Sequence, residues 1–188
     1  MIKKLNVLML AGALLFFAGL GAIVINQNNA EKNFIAAMNT AEKIQQKLPP
    51  ANEGIDDMYY SAEMPTMSVG GVDYIALVET EKFGVKLPVA ANWNKKAASQ
   101  YPCRFTGSCY DKTMVIGAGE KQFEFAAKVD IGDRITVTDM LGYRFNYTID
   151  KIIRVDSADA EKLLSGDYPL TLFAPDSSTK GYIVVRCK

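Results

Sequence analysis

The sequence contains no histidine among its 188 residues. Histidine is the commonest general base at neutral pH and the commonest protein ligand for metal ions. Its absence excludes catalysis by a serine–histidine or cysteine–histidine pair within the chain. Any proton transfer would need a carboxylate, a lysine or a tyrosine with a shifted pKa. We expect neither a metal site nor a cofactor.

Cysteine is also scarce, at three residues: Cys103, Cys109 and Cys187. No two of them form a C-x-x-C pair, so the redox and zinc motifs that use this spacing are absent. The odd number leaves at least one thiol free or paired with another chain. Cys103 and Cys109 are close enough in sequence to close a small disulfide loop, which is one interpretation of this segment.

Neither sign of charge is in excess, because 21 basic residues balance 21 acidic ones. Proteins that bind nucleic acid or an anionic membrane surface by electrostatics usually carry a basic patch or a run of lysine and arginine. This sequence has no such run, so we expect no nucleic-acid partner. Its apolar content of 49% is instead typical of a globular domain with a sizeable core.

A long uncharged run occupies the N-terminal part of the sequence, from Val7 to Ile25, directly after Lys3 and Lys4. At about 1.5 Å per residue it is long enough to cross a hydrocarbon core of about 30 Å. A cleaved signal peptide is the alternative, but its apolar region usually has only about 7–15 residues. The pattern predicts a signal-anchor over residues 1–29, with a single pass through the cell membrane and the following domain outside the cytoplasm.

Residues 30–70 are predicted to form a juxtamembrane helix and a linker. Apolar residues recur at helical spacing along one face: Phe34, Met38, Ala41, Ile44 and Leu48. Pro49 and Pro50 end the helix. The face lacks the lysine-rich border of an interfacial helix, so we expect it to pack on the following domain.

From residue 71 to residue 188 the sequence changes to short β-rich segments separated by turn residues. About eight strands and few helices predict an all-β barrel or sandwich. One short helix is expected at Ser157–Leu164, between two of the strands.

Three segments of this region resemble the sortases, which are membrane-anchored cysteine transpeptidases of Gram-positive bacteria, and the class B-like branch in particular. They are "KLPVAANWNKKAASQYPCRFTGSCYDKTMVIGAG", "VDIGDRITVTDMLGYRFNYTIDKIIRV" and "LTLFAPDSSTKGYIVVRC". The resemblance covers about residues 71–188 and implies an eight-stranded sortase β-barrel. It also offers a second interpretation of Cys103, as a free thiol packed inside the domain.

The resemblance places the three catalytic positions of the family on residues that cannot perform their chemistry. The histidine position falls on Gly119, the nucleophilic cysteine position on Pro175, and the arginine that opens the last strand on Tyr182. Arg186 instead matches an arginine near the end of that strand that is not catalytic in the family. We therefore expect no functional catalytic residue at these positions.

Five residues have two interpretations each. Arg186 is a solvated charge or a structural ion pair in one, and a bidentate donor to the carboxylate of a bound segment in the other. Tyr182 is either a half-buried strand residue or a ligand contact. The aromatic residues Trp93, Tyr101 and Phe105 either pack in the core or anchor a partner.

Three functions remain as hypotheses. The first is an inactive sortase-like protein that binds a sorting-signal-like peptide or a surface protein, or assists an active sortase. The second is a transpeptidase or hydrolase with a relocated nucleophile, such as Ser177, Ser178 or Thr179, with Lys180 or Asp176 as base. The third is a structural subunit of an envelope complex whose groove is filled.

Overall fold

The computed structural model describes residues 25–50, 52–53, 63–156 and 166–188. Helix α1 covers residues 25–45, and helix α2 covers Lys95–Ala98. The strands of the described residues are β1 (Asn52–Glu53), β2 (Met67–Val69), β3 (Val72–Thr80), β4 (Val85–Ala90), β5 (Cys103–Thr106), β6 (Met114–Gly117), β7 (Arg134–Asp139), β8 (Tyr143–Val155), β9 (Leu170–Asp176) and β10 (Gly181–Cys187). Short 3-10 turns occur at Glu81–Phe83 and Glu124–Ala127.

Eight of these strands close into a barrel. The pairing runs from β3 through β4, β5, β6, β9, β10, β8 and β7, and β7 pairs with β3 again. Most neighbours are antiparallel, but β6 and β9 are parallel, as are β4 and β5. The eight-stranded, mostly-β fold predicted from the sequence is thereby confirmed.

Two short strands add to the outside of this ring. Strand β1 pairs with β8, and β2 forms a hairpin with β3 across Gly70 and Gly71. Both glycines have positive φ angles, 63° and 80°, which favour glycine in a two-residue hairpin loop. The predicted boundary between linker and barrel at residue 71 therefore falls inside a hairpin.

Alternation along β10 separates the inside of the barrel from its outer face. Ile183, Val185 and Cys187 belong to the main core, while Val184 belongs to a separate apolar cluster on the outer face. Burying one such aliphatic side chain stabilises a fold by about 1.5–3 kcal/mol. This two-sided burial explains why "GYIVVRC" is an almost continuous apolar run rather than an alternating one.

Helix α1 packs on the barrel, as its apolar face predicted. Ala37, Ala41 and Ile44 are buried, and Ile44 is fully inaccessible. The Lys121 ammonium lies 2.7 Å from the Glu31 carboxylate, which ties the helix to the loop after β6.

Two sequence predictions fall mostly outside the described residues. These are the apolar run from Val7 to Ile25, of which only Ile25 is described, and the helix expected at Ser157–Leu164. In the part of the chain that the structure describes, no helix is both long and apolar enough to span a membrane. The signal-anchor stays a prediction.

Candidate functional site

Strands β9 and β10 place Pro175 directly opposite Tyr182. The two residues are Cα partners in the antiparallel ladder, so their side chains share one face of the sheet. Pro175 is exposed and Tyr182 is half-buried. The β9 ladder with β6 ends at Phe173, two residues before Pro175, so no strand on that side requires the N–H that proline lacks.

Gly119 lies at the same end of the barrel. It follows β6 by two residues, just as Pro175 follows the β6–β9 pair formed by Gly117 and Phe173. The Gly119 N–H donates to the Ala98 carbonyl at 2.6 Å. A Cβ atom on Gly119 would lie 3.1 Å from that oxygen, so even a methyl group would require the α2 segment to move slightly. The structure thus brings Gly119, Pro175 and Tyr182 to one end of three adjacent strands.

Arg186 lies elsewhere on the hairpin. It pairs with Thr171, at the opposite end of β9 from Pro175, and only 6% of its surface is exposed. Its guanidinium carbon lies 5.1 Å from the centre of the Tyr168 ring, which is cation–π geometry. The interpretation of Arg186 as a solvated charge was wrong, because the strand end is covered by the segment that contains Tyr168.

A surface cleft of about 210 Å³ opens beside Pro175 and Tyr182. Its lining residues are Glu120, Pro175, Asp176, Ser177, Lys180, Gly181 and Tyr182. The Glu120 carboxylate accepts two hydrogen bonds from Ser177, one from the backbone N–H at 3.2 Å and one from the hydroxyl at 2.6 Å. Sequence reasoning missed Glu120, because its partner is 57 residues away and meets it only through the parallel β6–β9 pairing.

Asp176 is held as an anion beside this cleft. The Ser178 hydroxyl donates to its carboxylate, and Arg154 Nε lies 2.8 Å from Oδ2. These contacts, the Ser178 hydrogen bond above all, lower the pKa of Asp176 to about 2. A carboxylate with so low a pKa is a poor general base near neutral pH, which disfavours Asp176 in that role.

An aromatic row continues from the cleft along the outer face of the barrel. It consists of Tyr182, Phe173, Trp93 and Phe105, with successive ring centres 6.0, 5.5 and 5.3 Å apart. Trp93 is 37% exposed and Phe105 is 36% exposed, whereas Phe173 is buried beneath them. Tyr101, by contrast, is half-buried and packs edge-on against Tyr74 in the core.

Gly117 forms the floor beneath this row. A Cβ atom there would lie 2.3 Å from Phe173 Cζ and 2.4 Å from Trp93 Cζ3, both far too close. Phe173 and Trp93 can therefore pack this closely on β6 only because residue 117 has no side chain. The partly exposed rings of the row and the cleft thus lie on one side of the barrel, with apolar groups at one end and polar groups at the other.

All three thiols are buried and free. The disulfide considered between Cys103 and Cys109 is not formed, because Cys103 packs beneath α1 and α2 while Cys109 belongs to the main core. Burial raises the pKa of Cys103 to about 11 and that of Cys109 and Cys187 to about 12. None of them is a nucleophile at neutral pH. The described residues also contain no group of three or more potential metal ligands.

No protein-family model and no curated protein matches the chain. Solved structures do match. Sortase C1 from Streptococcus suis is 26% identical over 61% of this chain and 71% of its own, with a TM-score of 0.51. A sortase D5 transpeptidase from Clostridium perfringens is 20% identical over 81% of this chain and 96% of its own, with a TM-score of 0.58.

Sortase A from Corynebacterium diphtheriae is also similar, at 18% identity over 84% of this chain and 82% of its own, with a TM-score of 0.50. At such identities the likeness concerns the path of the backbone rather than the chemistry of a site. The closed eight-stranded ring agrees with it. The chain therefore has a sortase-like fold.

Proposed function

We propose that this protein is a sortase-like binding protein without transpeptidase activity, which holds an extended peptide on the aromatic row and the adjoining cleft. The proposal rests on one observation. Gly119, Pro175 and Tyr182 lie together at one end of the barrel, and none of them supplies a thiol, an imidazole or a guanidinium. The peptide would be sorting-signal-like or part of a surface protein, and the binder would assist an active sortase.

The missing groups matter because acyl transfer needs all of their functions. It requires a nucleophile, a group that takes and returns a proton, and donors for the developing oxyanion. Proline has neither a nucleophile nor a backbone N–H, and glycine has no proton relay. In a serine protease, loss of the nucleophile alone costs about a million-fold in kcat. The buried thiols cannot compensate, since burial keeps them protonated.

The aromatic row supports the binding half of the proposal. Partly exposed tryptophan and phenylalanine side chains are typical anchors of protein interfaces. Trp93 and Phe105 lie side by side at 5.3 Å and share contacts with Phe173, so the surface is preorganised by packing. Little conformational entropy would then be lost when a peptide covers it.

Activity and binding are tested together on the full chain. We expect no cleavage and no amine-dependent transfer of a fluorescent sorting-signal peptide, but saturable binding of the same peptide. Phe105→Ala should weaken binding about tenfold, since an interface anchor contributes more than about 1 kcal/mol. Leu141→Ala, at a site 37% exposed and outside the aromatic row, is the control. Turnover by the pure protein would refute the inactive assignment, and absence of binding would favour a structural subunit with a filled groove.

A second function, a hydrolase or transpeptidase with a relocated nucleophile, is favoured by the Ser177–Glu120 contact of 2.6 Å. In such an enzyme the Ser177 oxygen would attack a peptide carbonyl, Glu120 would take the hydroxyl proton, and the amine would leave with a proton. An ester at Ser177 would remain for water or another amine to resolve. Mass spectrometry of the protein after incubation with peptide would detect this ester, and Ser177→Ala would abolish it. Because our first proposal is a binding protein without activity, we expect that no such adduct forms.

The location of the protein is part of the proposal. Residues 7–25 would anchor the chain in the cell membrane with the barrel outside the cytoplasm, which is where surface proteins are assembled. Carbonate extraction of membranes should leave the full chain in the pellet. Protease added outside intact spheroplasts should remove the barrel, and its survival under these conditions would refute the orientation.

A further inference from the structure

The Glu120 carboxylate occupies hydrogen-bond donors of the cleft that a bound carboxylate could use instead. Its carboxylate is exposed, yet one oxygen accepts both the backbone N–H and the hydroxyl of Ser177. Two donors from one residue, converging on one carboxylate oxygen, form the kind of local arrangement that captures anions. The donors belong to the β9–β10 turn, whereas the carboxylate comes from the loop after β6. The contact therefore spans the cleft rather than stabilising the turn itself.

Lys180 adds a positive charge to the same cleft. It occupies the β9–β10 turn with a φ of 58°, a conformation uncommon for a lysine. Among the residues that the structure describes, Lys180 forms no ion pair or side-chain hydrogen bond. The other carboxylate of the cleft, Asp176, is engaged by Arg154 and Ser178. The Lys180 ammonium is thus available to an anion that enters beside Tyr182.

The cleft also has a direction. On one side it is bounded by Pro175 and Tyr182. From Tyr182 the aromatic row leads over the buried Phe173 to the partly exposed Trp93, with ring centres 6.0 and 5.5 Å apart. An extended peptide advances about 3.3 Å per residue. About four residues would therefore cover this stretch. A peptide that ends in the cleft would place its terminal carboxylate beside Ser177 and Lys180.

We propose that the cleft binds the free C-terminal carboxylate of an extended apolar peptide, which displaces Glu120 from Ser177 and pairs with Lys180. This rests on the proposed peptide-binding function and specifies which end of the ligand is recognised. The exchange conserves hydrogen bonds, because the incoming carboxylate accepts the same two donors and Glu120 returns to water. Glu120 acts as a built-in competitor that sets the affinity.

The test uses the immobilised full chain and two pooled libraries of N-acetylated hexapeptides with apolar residues at random positions. One library has free C-terminal carboxylates, and the other has C-terminal amides. We expect retention of acids over amides by about fivefold or more, as charge-assisted hydrogen bonds predict. Glu120→Ala should increase the affinity for acids about fivefold and leave the amides unchanged.

Lys180→Asn should lower the affinity for acids by a similar factor, since asparagine tolerates positive φ and removes only the charge. Lys151→Asn is the matched control, because Lys151 is an exposed lysine on β8. Its backbone lies opposite that of Arg186 in the β8–β10 ladder, at the end of the hairpin that is far from the cleft. Unchanged retention of amides by each variant shows that the fold and the row are intact.

The outcomes separate the two proposals. If acids and amides bind equally, or if Glu120→Ala weakens binding of acids, carboxylate recognition is overturned while peptide binding stands. If neither library is retained, both proposals fail. Preference for acids that is lost in Lys180→Asn and enhanced in Glu120→Ala supports the inference.

Discussion

The two ends of the β9–β10 hairpin differ in whether their charged side chains are buried or exposed. At the Thr171–Arg186 end the arginine is buried and stacks on Tyr168. At the Pro175–Tyr182 end the charged groups Glu120 and Lys180 stay at the surface, beside a cleft. The first end has the features of structural packing and the second those of a binding site. On β10, Tyr182 and Arg186 are only four residues apart, yet the first borders the cleft and the second is part of the packed structure.

The largest difference in stability is expected between substitutions of two arginines, one near each end of the hairpin. Arg186→Ala removes a buried stem and its stacking on Tyr168, so we expect the free energy of unfolding to fall by about 2–4 kcal/mol. Arg154→Ala removes a half-exposed ion pair with Asp176 at the cleft end, for which about 0–1 kcal/mol is expected. Urea denaturation measures both. Equal losses would contradict the assignment of the two ends.

A second contrast concerns two glycines at the C-terminal end of β6, where Gly117 is the last residue of the strand and Gly119 follows two residues later. Gly117→Ala places a methyl group against Phe173 and Trp93, so we expect a loss of about 2–3 kcal/mol and a shift of Trp93 fluorescence. In Gly119→Ala the new Cβ atom would lie 3.1 Å from Ala98 O, so a small shift accommodates it. We expect the free energy of unfolding to fall by only about 1 kcal/mol. If Gly117→Ala is neutral, the aromatic row does not pack as described.

A smaller effect should appear in acid at the cleft end. The pKa of Asp176 is about 2 in the folded protein, below the value of about 3.9 expected when unfolded. Its stabilising contribution is therefore present above about pH 4 and is lost as the pH falls through 2. We expect Asp176→Asn to flatten the pH dependence of the urea midpoint in this window. If Asp176→Asn leaves this pH dependence unchanged, other carboxylates are responsible for the loss of stability in acid.

The smallest effect is expected from repair of the chemistry. The variant Gly119→His, Pro175→Cys, Tyr182→Arg should show almost no turnover of sorting-signal peptides. A histidine at position 119 has to displace the α2 segment, and catalytic groups need placement within about 0.5 Å. Pro175→Cys alone, alkylated with iodoacetamide, is the control that the thiol is accessible. Substantial turnover would mean that the site has kept catalytic geometry.

The fold was predictable because its signals are local and repeated. Strand periodicity and turn residues predicted an all-β barrel or sandwich, and the resemblance to the sortases implied the eight-stranded barrel. The stripe from Phe34 to Leu48 predicted a helix that packs on the β domain, although this helix ends at residue 45 rather than at Pro49. The β2–β3 hairpin was missed although Gly70 and Gly71 are a recognised hairpin signal, because Met67–Val69 is too short to show alternation.

The candidate site was predictable only in part. Pro175 and Tyr182 were identified by resemblance, and their pairing follows from the hairpin. Glu120 had no signal, because its role depends on a contact between strands far apart in sequence. For Arg186 only the solvated-charge interpretation was wrong, because periodicity gives the face of a strand but not what covers that face.

The position of the β9–β10 hairpin in the barrel has a consequence for synthesis of the protein. The hairpin inserts between β6 and β8, so both of those strands keep an unpaired edge until residues 170–187 have been made. A nascent chain that lacks the hairpin therefore exposes two strand edges that can pair with other chains. Six of the seven residues that line the cleft, all except Glu120, belong to this hairpin or to its turn. Protection against aggregation and assembly of the site are thus achieved in a single late folding step.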